Sequence, residues 1–83
     1  MHIEGVKPAT DSQSYLSIMV NSIGKLTLKV FDTNGRIAKK ICQDIISGVQ
    51  QLEVNLSDLA NGTYILNAFN GDTFVKSYKF TKE

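Results

Sequence analysis

The stretch KLTLKVFDTNG, residues 25–35, decides the fold class. Leu26, Leu28 and Val30 alternate with Thr27, Lys29 and Phe31, a period of two that puts the aliphatic side chains on one face of a strand. Asn34-Gly35 follows, a pair that accepts positive φ and is the strongest short-range hairpin signal. The same pattern repeats on either side. Residues 50–56, QQLEVNL, put Leu52, Val54 and Leu56 inward and Gln51, Glu53 and Asn55 outward. Residues 63–69, TYILNAF, set Tyr64, Leu66 and Ala68 against Ile65, Asn67 and Phe69; a strand apolar on both faces is expected to be central. Residues 73–81, TFVKSYKFT, group Phe74, Tyr78 and Phe80 as core, with Lys76 the exception. Upstream, SYLSIMV at 14–20 has Leu16, Ile18 and Val20 in phase.

Breaks separate these runs at Ser22-Ile23-Gly24, Ser47-Gly48, Asn61-Gly62 and Asn70-Gly71-Asp72. Short strands between regularly spaced turns indicate a sandwich or barrel. The fold expected is all-β, an immunoglobulin-like antiparallel β-sandwich of six or seven strands. Residues 1–13 read as a leader or linker segment with room for a first short strand, and residues 14–83 as a single sandwich domain. Residues 36–49, RIAKKICQDIISGV, read two ways. Ile41, Ile45, Ile46 and Val49 fit a helical stripe, whereas Ile37, Ile41 and Ile45 with Lys39 and Gln43 fit a strand. β-Branched Ile and the lack of an N-cap at Gly35-Arg36 favour the strand.

A chain of 83 residues is one domain at most. At this size folding buries only roughly 60–65% of the unfolded chain's surface, so a well-patterned core has to supply the stability. With nine basic and eight acidic residues the net charge is +1, which provides no electrostatic footprint for nucleic acid or an anionic membrane. No apolar run approaches the ~20 residues of a membrane span. The opening MHIEGVKPAT lacks the basic-then-apolar order of a secretory signal, so the signal of an exported parent is expected outside this chain. Cys42 is the single cysteine, and with His2 the single histidine no zinc site forms. Cys42 is expected to be a buried or half-buried small hydrophobe.

No grouping of residues carries chemistry. There is no HExxH, no CxxC, no phosphate-cradling loop before a helix and no nucleophile with a base. No cofactor is implied. The aspartates at 11, 32, 44, 58 and 72 lie in or beside turns, where a carboxylate bonds nearby backbone N–H groups. Asp32-Thr33-Asn34-Gly35 has the start of a calcium loop but lacks the remaining ligands and the closing Glu. Asn55-Leu56-Ser57 and Asn61-Gly62-Thr63 match the glycosylation pattern, and Asn61 is explained by its turn. The Tyr and Phe residues suit a sugar-stacking platform, but core and cross-strand roles are the commoner use.

Four segments, LKVFDTNGRI at 28–37, SGVQQLEVNL at 47–56, LANGTYIL at 59–66 and KSYKFTKE at 76–83, occur in one order. That order and spacing resemble the type A sorting domain of the bacterial type IX secretion system, over roughly residues 14–83. The family's usual opening Asn-Pro is replaced by Val6-Lys7-Pro8, and Thr81 stands where an aliphatic residue is common. The resemblance implies a non-enzymatic sorting signal. Its partners would be an outer-membrane translocon, a sortase-like peptidase and an N-terminal cargo domain. The destination would be the cell surface or the medium after transit through the periplasm. It marks Asp32, Gly35, Gly62, Tyr64 and Phe80 as family-type turn and core positions, and Lys79 and Lys82 as exposed candidates for recognition. The alternative is an accessory carbohydrate- or protein-binding β-sandwich of a larger secreted protein.

Overall fold

The computed structural model describes residues 3–8, 15–21, 24–46 and 50–82. Strands β1 (Ile3–Pro8), β2 (Tyr15–Val20) and β5 (Gln50–Asn55) form one sheet in the order β1-β2-β5. Strands β3 (Gly24–Phe31), β4 (Ile37–Ile45), β6 (Gly62–Asn70) and β7 (Thr73–Lys82) form the larger sheet, ordered β4-β3-β6-β7. All pairings are antiparallel. The expected breaks at Ser22-Ile23 and Ser47-Gly48, like His2, lie outside the described residues.

The core is the set of inward positions that the alternation supplies. Leu16, Ile18, Val20 and Val54 of the smaller sheet meet Leu26, Leu28, Val30, Leu66 and Ala68 of the larger, each at most 3% exposed. Leu56 closes one end of this layer and Ile45 also joins it. Full burial of each such aliphatic side chain is worth about 1.5–3 kcal/mol, so this layer is the main stabilising element of a two-sheet sandwich. β6 is central, as its two-sided apolarity requires, but its second face is turned to solvent: Ile65 is 42% exposed.

Residues 37–45 are strand, which resolves the ambiguity of 36–49 over the described residues. Ile37, Phe74 and Cys42 depart from the expected faces, the first two at bulges. Val30 pairs with Lys39 but Phe31 pairs with Ile37, so Ala38 is an extra residue in β4. The extra residue reverses the phase. Ile41 stays half-buried and Ile45 buried, while Ile37 turns outward beside Phe31 at 54% exposure. In the same way Ala68 pairs with Lys76 and Phe69 with Phe74, leaving Val75 extra in β7. Val75 packs on the core, and Phe74, expected there with Tyr78 and Phe80, is 55% exposed on the outer face. Cys42 is exposed, not buried: its cross-strand partner is Thr27 on the outward face, with Sγ 3.9 Å from Thr27 Oγ1.

Candidate functional site

The family-type positions fall into two groups. The first is the corner between β5 and β6. Asn55 Oδ1 accepts from the N–H and the hydroxyl of Ser57, a local turn that accounts for the polar residues at this glycosylation-like triplet. The Leu59 N–H donates to the Leu56 carbonyl at 3.0 Å, and the Leu59 side chain is buried. The Tyr64 hydroxyl reaches back to the Ala60 carbonyl at 2.6 Å. Its ring stacks on Phe80, 5.6 Å between centroids, and Phe80 stacks in turn on Tyr78. Gly62 enters β6 with φ +151°, a conformation rarely open to a side-chain-bearing residue.

Lys82 belongs to this corner. It was expected to be exposed, but two residues along a strand restore the same face, so it points inward with Phe80. It is 8% exposed, and its ammonium donates to the carbonyls of Leu59 and Ser57. A second lysine holds the same loop from β4: Lys39 Nζ lies 2.9 and 2.8 Å from the two Asp58 carboxylate oxygens. That hydrogen bond is the main cause holding the Asp58 carboxyl below its ordinary value.

The second group faces solvent on the larger sheet. Asp32 organises the β3–β4 turn. Its Oδ1 accepts from the amides of Asn34 at 2.9 Å and Arg36 at 3.0 Å, and its own N–H donates to the Arg36 carbonyl. The hydrogen bond from the Arg36 amide is the main cause holding the Asp32 carboxyl below its ordinary value; desolvation opposes it, and the Asn34 amide and the Arg36 charge add to the lowering. Gly35 sits at φ +80° in this turn. Lys79 is exposed and lies opposite Ile65. Together with Phe31, Asp32, Thr63 and Asn67, these two line an open concavity of about 470 Å³.

Register turns the outer face into cross-strand rows. Ile37, Phe31, Ile65 and Lys79 make one row. Lys40, Lys29, Asn67 and Ser77 make the next, and Cys42, Thr27, Phe69 and Phe74 the third. Lys29 Nζ lies 5.0 Å from the centre of the Phe69 ring, which meets Phe74 edge-on. A smaller hollow of about 310 Å³ opens among Lys25, Lys29, Lys40, Cys42 and Phe69. Sequence alternation alone missed this face, because the bulges that bring Ile37 and Phe74 onto it leave no mark in the pattern.

Among the described residues no group of three or more His, Cys, Asp or Glu side chains could hold a metal ion. Among them no helix is long and apolar enough to cross a membrane. No curated protein matches the sequence. Residues 8–83 do match the family model of the secretion system C-terminal sorting domain, and the chain belongs to that family.

Proposed function

We propose that this chain is a C-terminal sorting signal that directs a cargo protein through the bacterial type IX secretion system. The cargo would reach the cell surface or the medium after transit through the periplasm. The observation that carries this reading is the family match across residues 8–83. The strand order β1-β2-β5 against β4-β3-β6-β7, with a Tyr64 hydroxyl bonded back to the Ala60 carbonyl at the β5–β6 corner, supports an immunoglobulin-like arrangement of residues 14–83 preceded by β1. The partners are an outer-membrane translocon, a sortase-like peptidase that removes the domain, and the cargo. Recognition is between proteins and needs no cofactor or catalytic residue of this chain.

The accessory-module reading has one feature in its favour, the exposed Phe74 beside the half-buried Phe69. It ranks second because these rings meet edge-on and Lys29 stands over Phe69, which leaves no flat aromatic platform for a sugar.

A passenger with its own N-terminal secretion signal, fused ahead of Met1, tests the function. In a host with a working type IX system it is expected outside the outer membrane, and in a translocon-deficient strain it is expected in the periplasm. A folded fusion that stays periplasmic in the competent host overturns the sorting reading.

A further inference from the structure

The two sheets differ in what they turn outward. The smaller sheet presents Gln51, Glu53 and Asn55, with Ser17 bonded to Gln51 at 2.7 Å. The larger presents Phe31, Ile37, Ile65, Phe69 and Phe74 among lysines. Ile37, Ile65 and Phe74 are large hydrophobes left exposed on a single face.

The charges there are unbalanced. Lys29 and Lys40 are direct cross-strand partners, and like charges in that relation repel. No ion pair joins either of them, or Lys79, among the described residues. The carboxylates beside these lysines are Asp44, opposite Lys25 at the far end of the face, and Asp72, which lines the smaller hollow with Lys25, Lys29 and Lys40. Asp32, at the rim, is already engaged by Asn34 and Arg36. A surface that keeps opposed lysines around exposed apolar rows gains most when a carboxylate-bearing partner covers it.

We propose that the outer face of β4-β3-β6-β7 is the docking surface for a protein partner that presents apolar side chains flanked by carboxylates. Phe31 and Ile65 with the larger concavity form the apolar centre. Lys29, Lys40 and Lys79 set the orientation and hasten the encounter. Strand spacing and rise make the face about 500 Å², below the ~800 Å² per partner of a stable complex. Such an interface is transient, which suits a signal that is read and then released. The inference rests on the sorting reading and adds to it the face that is recognised and the chemistry of what recognises it.

The passenger fusion tests it with two sets of variants. Lys29→Gln/Lys40→Gln/Lys79→Gln removes charge without burying or unburying anything, and Ile65→Thr removes the apolar centre. Gln51→Lys/Glu53→Lys on the smaller sheet is the control. The lysine variant, with a melting point at or above wild type, is expected to be exported about tenfold more slowly, as loss of electrostatic steering predicts. Ile65→Thr is expected to lower export, and the control to match wild type. Wild-type export with unchanged rates for both outer-face variants overturns this proposal and leaves the sorting reading standing. Periplasmic retention of the wild type overturns both. Dimerisation of the isolated chain that Ile65→Thr abolishes would make the occupant a second copy and overturn the proposal. Saturable binding of cellohexaose at Phe69 and Phe74, followed by nuclear magnetic resonance, would do the same in favour of a glycan.

Discussion

Replacing Lys82 by Met isolates what its ammonium contributes. Methionine keeps most of the side-chain volume against Tyr64, Phe80 and the 57–59 loop, and it removes the donors to the Leu59 and Ser57 carbonyls. A hydrogen bond from a charged donor is worth about 1.5–3 kcal/mol. The contact to Leu59 is short, whereas the one to Ser57, at 3.4 Å, is weak, so one full bond is counted. Against the loss stands relief of burying a charge; methionine is fixed at much the same entropic cost as lysine, so that contribution cancels. The net expectation is a loss of about 1–2 kcal/mol, or roughly 5–15 °C in melting temperature for a domain of this size. Lys79→Met, one strand face away and exposed, is expected to stay within about 0.5 kcal/mol. Urea and thermal unfolding of the two variants side by side measure the difference. Equal midpoints, or a Lys82→Met protein more stable than wild type, would refute the claim that this lysine holds the corner.

At Gly62, Ala and Val are both expected to cost about 1–3 kcal/mol, because the strain lies in the backbone; an added Cβ meets nothing nearer than Tyr64 at 4.0 Å, so an unchanged midpoint for Ala would refute backbone strain at this position. Asp32 and Asp58 have folded-state pKa values below the ordinary 3.8, so the stability they contribute is complete above that value and is lost as pH falls through the lower folded values. Urea midpoints from pH 5 to pH 2 should therefore fall less steeply in Asp32→Asn than in wild type. Cys42→Ser is expected to leave stability within about 0.5 kcal/mol, and the native thiol should react with an aromatic disulfide reagent without denaturant; protection in the native state would contradict its exposed position.

Alternation made most of the fold legible. Leu26, Leu28 and Val30, or Leu16 and Ile18, announce a buried face because side chains on a strand repeat every second residue and only one face of each sheet meets the other. The turn at Asp32–Arg36 was equally plain, since Asp followed by Asn-Gly satisfies its own amides. Ile37 and Phe74 were misread because an extra residue, Ala38 or Val75, is decided by how two strands align, which no single strand's pattern records. Lys82 was misread for a different reason. Its inward phase with Phe80 was visible, but only the position of the 57–59 loop makes burial of an ammonium tolerable there. Cys42 followed a general preference for burial that its own phase, opposite Thr27, contradicts.

The two bulges also let the edge strands of the larger sheet absorb a change in length without turning over their solvent-facing surface. Removing Val75 would restore a continuous ladder and leave Phe74 opposite Phe69 on the outer face; removing Ala38 would likewise leave Ile37 opposite Phe31. A single-codon deletion at either bulge would therefore keep the display face, whereas a deletion inside β6, which has no extra residue to give up, would turn the residues beyond it to the opposite face. Relatives that lack the residue at 38 or 75 can thus show the same outer surface as this chain, although their strands are one residue shorter.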